Sequence, residues 1–537
     1  MLIMNSMQNK DLTKAISAWK SLLGNEAVHD SPVSDEKACT FTQSSSVVAT
    51  IQPRNLPELQ ECLRIAGQYK ILVFPVSTGL NWGYGSGLPA QTAVVFDLSF
   101  LNEISDYDEA LGLVTIQPGV TQTQLYEFLQ QQGGAYWMDA TGSSGQCSVL
   151  GNTLERGFGH SPYSNHAEQV VSMQVMLANG ELIHTGMGQF KAATTANTYA
   201  AGLGPGLNQL FLQSNFAVVT SMTIKLMPAP EYFQAVYFSI SDESMLPGLI
   251  DALQPLRLSG VIQSAMHIGN AYRVLSSIQQ YPWEASQGKT PLPEDVLASY
   301  GKQWDFGAWN GSAGLYGTRK QVAEMRRLLR LALRDRVKKI RFMDDRSLEM
   351  AKRLQKPYQW LTGINLPEML KLIEPVHNMM KGKPTERIIA STYWRKKMSI
   401  PDDMNPDRDR CGLIWCAHVA PTKGHHAREM TDIASNILLS HGFEPGMTLT
   451  MIDERNLDNV ISISYDRDIE GEDERAIQCY IELSETLINK GYYPYRLGAH
   501  SMHLLSQYAA STNIDLLQRL KTVFDPHKIL APGRYIT

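Results

Sequence analysis

The chain predicts an α+β fold in which a second domain interrupts the first, which then resumes at the C-terminus. Three observations carry this expectation. They are a β-α-β pattern near the start, a double proline in MPAPEY (227 to 232), and a proline- and glycine-bearing tail, FDPHKILAPGRY (524 to 535), suited to docking on other structure. At 537 residues the chain is longer than one hydrophobic core organises, so about two to four domains are expected.

The β-α-β unit opens with a short β-branched run, Val47 to Ile51. Leu56 to Tyr69 follows with Leu59, Cys62, Leu63 and Ala66 at helical spacing, and Ile71 to Phe74 returns as a strand. Further strands are expected at Ala93 to Leu98 and Gly112 to Ile116. A helix at Thr123 to Gln132 turns Leu125, Phe128 and Leu129 inward. In Val170 to His184, Asn179-Gly180 separates two alternating apolar runs, the pattern of a tight hairpin. Ala217 to Leu226 reads as a strand that ends at the double proline. Beyond it come a strand at Phe233 to Ile240 and an amphipathic helix at Lys320 to Arg334, whose Val322, Met325, Leu329 and Leu333 form one stripe. A short helix, Ile514 to Val523, leads into the tail.

Composition narrows the function. Hydrophobic residues make up 43% and charged residues 19%, with a formal net charge of -5, which is ordinary globular composition and argues against nucleic acid as a partner. Six scattered cysteines form no CxxC pair and no metal-ligand spacing, so reduced thiols are expected rather than a disulfide framework or a metal site. The start lacks a basic segment followed by an apolar run, and no stretch reaches the roughly 18 apolar residues of a membrane span. A soluble, cytoplasmic protein is the expectation.

The segment PVSTGLNWGYGSGLP (75 to 89) follows a strand with four glycines and two prolines. A dinucleotide fingerprint of the GxGxxG type would open directly into a helix, whereas Gly83, Gly85 and Gly87 lead to Leu88, Pro89 and another strand. The loop therefore suits an anion held by successive backbone N–H groups, with glycines allowing close approach. A second segment, GNTLERGFGHSPYSNHAEQV (151 to 170), again concentrates glycine and small polar groups before the hairpin. Two such coil segments could clasp one extended dinucleotide from both sides.

Together with VMLANGELIHTGMG (175 to 188), LGPGLNQLFLQSNFAVVT (203 to 220), KPTERIIASTYWR (383 to 395), YPYR (493 to 496) and DPHKILAPGR (525 to 534), PVSTGLNWGYG (75 to 85) and SVLGNTLERGFGHSPYSNH (148 to 166) resemble the FAD-dependent oxidoreductases of the vanillyl-alcohol oxidase and p-cresol methylhydroxylase superfamily, and within it the 4-phenol-oxidising branch. The resemblance implies a two-domain flavoprotein. Residues 1–229 and 493–537 would form an FAD-binding domain of two α/β subdomains, and 230–492 an α+β cap with an antiparallel sheet and helices. By matching position, Pro75, Ser77, Thr78, Gly79, Leu80, Asn81, Gly83, Tyr84 and Gly85 would wrap the pyrophosphate. Gly142, Ser148, Gly151, Asn152, Glu155, Gly157, Tyr163 and His166 would belong to the second FAD-binding segment, and Arg534 would come from the tail.

The same resemblance implies the chemistry. Hydride leaves the carbon attached para to a phenol hydroxyl, and two tyrosines and an arginine, here Tyr84, Tyr495 and Arg496, stabilise the phenolate. An acidic residue expected near the flavin is missing: in DATGSSGQCSVLGN (139 to 152) Asp139 survives, while the second acid is replaced by Gly142 or Ser143. Asp139, His160 or His418 could serve as the base. Relatives often attach FAD through a histidine about five residues before a cap proline. Here that residue is Cys416, with His418 nearby, so covalent attachment stays open between these candidates, while Asn81 excludes a second link at the first loop. Leu457-Asp458-Asn459 also departs from the Met-His-His of phenol-oxidising relatives.

Hydride transfer from a para-substituted phenol or related aromatic alcohol or amine to FAD is thus the leading expectation. A non-phenolic intermediate of secondary metabolism, or a flavin-binding subunit without turnover, are the alternatives. The resemblance further implies a small aromatic substrate, a homodimer, and either oxygen or a separate cytochrome subunit as acceptor, since the chain carries no CxxCH haem motif.

Overall fold

Local signals act first. In the computed structural model, which describes residues 6–30, 39–43 and 45–536, the helix Leu56–Tyr69 starts where the Asn55 side chain accepts from the Glu58 N–H and Pro57 occupies the first turn. It stops at Lys70, whose φ of 52° is left-handed. Leu59, Cys62, Leu63 and Ala66 are fully buried beneath it. The flanking strands Val47–Ile51 and Val73–Val76 both run parallel to Ala93–Asp97, with Val28–His29 antiparallel at the edge. The tail joins this sheet: Val73 N–H donates to Ile529 (2.8 Å) and Ala531 N–H to Val73 (2.7 Å). Fully buried Asp525 holds the tail in place by accepting from the Ile529 and Leu530 amides and from Lys521.

A second, five-stranded antiparallel sheet has the order Ile104–Asp108, Leu113–Ile116, Val218–Lys225, Val170–Met176, Leu182–His184. Its last two strands are the expected hairpin, with Gly180 at φ +83° in the turn. The adjoining helix, Gln122–Gln131, begins one residue earlier than its apolar spacing indicates because Thr121 forms a capping box with Gln124.

Between these segments of chain lies an eight-stranded antiparallel sheet, in the order Lys339–Met343, Tyr232–Ile240, Trp309–Gly317, Met266–Asn270, Gly446–Met451, Asn456–Asp466, Cys411–Pro421, Tyr493–Pro494. One face packs on the helices Leu246–Leu258, Arg319–Leu333, Gly424–Ser440 and Glu472–Asn489, and buries Ile268, Ile414, Cys416, Leu449, Ile461 and Val322 in the largest core. The other face carries Leu413, Trp415, Thr448, Thr450, Val460 and His267 toward a cavity shared with the two smaller sheets. Strand alternation therefore decides which residues can reach the site. Among the described residues no helix is long and apolar enough to cross a membrane.

Candidate active site

The cavity, of about 610 Å³, is lined by both glycine-bearing segments, the tail and the open face of the large sheet. The first loop turns with Gly79 at φ +74°, and among the described residues no protein acceptor takes the backbone N–H groups of Thr78, Gly79, Leu80 and Asn81. Unpaired amides in a row form a concavity for an anion. The second segment meets this loop directly: Ser148 N–H donates to Thr78 Oγ1 (3.1 Å), and a Cβ on Gly151 would crowd Ser77 Oγ at 3.1 Å. Part of the second segment, expected as coil, is the short helix Val149–Leu154, because Ser148 caps it by accepting from Gly151 N–H (2.8 Å). A dinucleotide cofactor fits this arrangement: the free amides of the first loop would take its pyrophosphate, and Gly79 and Gly151 would leave room for it.

Of the residues expected from sequence, Pro75, Ser77, Thr78, Gly79, Leu80, Asn81, Tyr84, Gly142, Ser148, Gly151, Asn152, Glu155, Gly157, Tyr495, Arg496 and Arg534 line the cavity. Gly83 and Gly85 do not. Their missing side chains make room for packing: a Cβ would fall 2.2 Å from Trp415 Cδ1 at Gly83 and 2.8 Å from Ala499 Cβ at Gly85. Gly83→Ala is therefore expected to destabilise the protein by about 2–4 kcal/mol, combining overpacking with a left-handed φ of +77°. Gly79→Ala, with the same backbone demand but no contact under 3.5 Å, is expected to cost about 1 kcal/mol. Thermal midpoints of the two variants check the difference, and equal midpoints would remove the packing role of Gly83.

Asp139, Tyr163 and His166 also lie outside the lining. His166 stands between Asp139 Oδ2 and Asn152 Oδ1, both at 2.7 Å, and Asp139 Oδ1 accepts from the His160 and Ser161 amides. Burial works to raise the Asp139 pKa, but His166 and Ser161 hold it below the ordinary carboxylate value. With both oxygens engaged, Asp139 braces the second segment and is turned away from the reacting space. Tyr163 packs on an apolar cluster with Met227 and Phe233. Cys416 and His418 sit on the helix-covered face of their strand, since Trp415 takes the cavity side; they contact each other (Sγ to Nδ1, 3.4 Å), and Cys416 Sγ also contacts Ser484. Burial pushes the Cys416 thiol up to about 12 and the His418 imidazole down to about 3, so neither is ionised near neutrality.

Around Tyr84 the site is cationic. The Arg496 guanidinium lies 4.3 Å from the Tyr84 ring centroid, donates to Asn81 Oδ1 (2.6 Å), and pairs with Glu155 (3.5 Å). Glu155 also accepts from Arg534 and from the Tyr535 hydroxyl (2.8 Å). Burial opposes ionisation of Glu155, yet Arg534 and Arg496 hold its pKa below the usual value. Burial raises Tyr84 well above an ordinary phenol and Tyr495 to about 12, and each is influenced by the other and by Arg496. Both therefore remain neutral donors at neutral pH. Tyr495 is backed by Phe158, whose ring centroid is 5.7 Å away, and His267 and His160 continue the wall at 4.3 Å from each other.

Asp458 is the departure with the clearest physical signature. Its register partner Thr450 places it on the cavity face, close enough to raise the pKa of both tyrosines, and neither carboxyl oxygen has a hydrogen-bond partner. Burial raises its own pKa well above the ordinary value, so the folded state keeps the proton. Above the unfolded-state pKa of about 3.9, unfolding releases that proton, and stability falls with rising pH by up to about 1.4 kcal/mol per unit until the folded-state pKa is reached. Asp458→Asn removes this term. Its thermal midpoint is expected to gain on the parent's between pH 5 and pH 7, a difference of about 1–3 kcal/mol; a pH-independent difference would mean that Asp458 is ionised in the fold.

Residues 47–186 match the family described as FAD binding domain, and residues 461–535 match FAD linked oxidases, C-terminal domain. The chain is 39% identical over 533 residues, 98% of each chain, to 1'-carboxy-chondrochloren decarboxylase of Chondromyces crocatus. It is 28% identical over 532 residues, 98% of this chain and 95% of the relative, to the flavoprotein subunit of 4-cresol dehydrogenase [hydroxylating] of Pseudomonas putida. The crystal structure of p-cresol methylhydroxylase with substrate bound superposes with a TM-score of 0.87 at 26% identity, over 98% of this chain and 97% of that one. With likeness of sequence and fold running along its whole length, the chain belongs to the p-cresol methylhydroxylase and vanillyl-alcohol oxidase superfamily and is an FAD-dependent oxidoreductase.

Proposed function

We propose that this enzyme oxidises a para-substituted phenol, and that residues 1–229 with 493–537 hold FAD while 230–492 cover the substrate. FAD, when bound, supplies the acceptor for a hydride from the side-chain carbon attached para to the hydroxyl. The observation that carries the reading is the grouping of Tyr84, Tyr495 and Arg496 in the cavity lining: two neutral tyrosine hydroxyls and a cation that lies 4.3 Å from the Tyr84 ring centroid. Such a cluster favours an ionised phenol, because hydrogen bonds to charged oxygen are worth about 1.5–3 kcal/mol each. The placement of Cys416 and His418 on the helix-covered face of their strand speaks for FAD bound without a covalent link to either.

A second reading concerns the fate of the oxidised substrate after hydride loss, and the named activity of the 39% identical relative favours it. If the carbon next to the reacting one bears a carboxylate, its C–COO⁻ bond can break. The bonding pair becomes a new C=C bond, CO2 leaves, and the quinone methide regains its phenolate. Attack by water would need a group to take a proton; this route needs none. It suits a site in which Asp139 is turned away and residues 142 and 143 carry no acid.

Anaerobic addition of 4-ethylphenol and of 3-(4-hydroxyphenyl)propionate to the purified holoprotein tests both readings. Bleaching of the flavin is expected, with 4-vinylphenol and CO2 formed from the propionate. A flavin that stays oxidised with every para-substituted phenol would overturn the phenol reading. Acid precipitation is expected to leave the yellow colour in the supernatant, and a yellow pellet would overturn non-covalent binding.

A further inference from the structure

Five arginine and lysine side chains line the cavity, and four have a carboxylate partner. Arg496 and Arg534 share Glu155, while Lys339 and Arg341 share Asp305. The fifth, Arg273, has none among the described residues, and its guanidinium makes no hydrogen bond. The guanidinium lies over the face of Trp415, 5.4 Å from the ring centroid.

This placement is costly in two further respects. Arg273 is in the first turn of the helix Ala271–Ile278, its amide capped by Asn270 Oδ1 (3.0 Å), where the helix dipole disfavours a cation. Burial lowers its pKa to about 10, so it is nonetheless charged at neutral pH. The cap is firmly set, because Asn270 Nδ2 also donates to the Pro445 carbonyl (2.5 Å). A part-buried, unpaired cation that lines the cavity is what an anionic ligand group would complete. Trp415 in turn packs on Gly83, next to Tyr84, so the guanidinium stands one aromatic ring away from that side of the phenol cluster.

We propose that Arg273 receives a carboxylate carried by the substrate, so that the substrate is an anionic phenol rather than a neutral alkylphenol. This rests on the phenol reading for the other end of the molecule. Arg273 acts as a binding residue and sets specificity.

The test is calorimetric titration of dithionite-reduced, anaerobic holoprotein, in which no turnover occurs, with 3-(4-hydroxyphenyl)propionate, 4-propylphenol and 3-phenylpropionate. The parent is expected to bind the hydroxylated carboxylate at least about tenfold more tightly than 4-propylphenol. Arg273→Met is expected to abolish that preference and Arg273→Lys to restore part of it, both with unchanged FAD content. A preference that survives Arg273→Met, or FAD lost from both variants, would overturn the proposal. Tight, Arg273-dependent binding of 3-phenylpropionate would support it while counting against the phenol reading. Tight binding of 4-propylphenol with no preference for any carboxylate would do the reverse.

Discussion

Glu155→Gln is expected to lower the stability of the protein by about 3–5 kcal/mol and to weaken its hold on FAD. The carboxylate is buried between two guanidinia, accepting from Arg534 on one oxygen and facing Arg496 on the other, with the Tyr535 hydroxyl as a third donor. A neutral amide leaves two buried cations facing each other, so the cost is that of uncompensated charge rather than of one lost hydrogen bond. Because the folded-state pKa lies below the ordinary value of about 4.3, the stabilisation is complete above that pH and is lost as pH falls through the folded-state value. The difference between parent and variant is thus expected to be constant from pH 6 to 8 and to shrink in acid. Removing one cation as well, in Glu155→Gln with Arg534→Gln, is expected to cost less than the sum of the single changes. Thermal midpoints of the apoprotein and holoprotein check this, and a variant as stable as its parent would mean that the two arginines find other partners.

How legible this site was in the sequence depends on how far each signal had to travel. The helix Leu56–Tyr69 was readable because Asn55, Pro57 and the apolar spacing are local, and the Asn179-Gly180 hairpin for the same reason. The glycines of the first loop were readable as open backbone, but what fills the space at Gly83 and Gly85 comes from Trp415 and Ala499, hundreds of residues later. Cys416 looked placed for a flavin link because its distance from Pro421 suited it; only the pairing of its strand with Asn456–Asp466 shows that Trp415 takes the open face and Cys416 the covered one. Arg273 gave no signal at all. Its meaning is the lack of a partner, and that is a property of the assembled cavity.

Tyr495→Phe is expected to lower kcat/KM for a para-substituted phenol by about 10- to 150-fold, the worth of one hydrogen bond to an ionised oxygen. Burial keeps Tyr495 protonated, with its pKa near 12, so at neutral pH its hydroxyl is a donor; Phe keeps the ring contact with Phe158 and removes only that donor. Tyr84→Phe is expected to act in the same direction, and because both hydroxyls would serve the same phenolate the double variant is expected to fall short of the product of the single effects. A readout apart from turnover is bound 4-nitrophenol, whose absorbance reports its ionisation. In the parent its pKa is expected to lie below the solution value, since Arg496 and two donors all favour the anion, and in Tyr495→Phe to rise by about 1–2 units. A general loss of packing would lower affinity for the neutral and ionised forms alike and leave that pKa where it was. An unchanged pKa with reduced turnover would therefore remove Tyr495 from the phenolate-stabilising cluster, and Arg496, held by Asn81 and Glu155 beside Tyr84, would be left as its main electrostatic contributor.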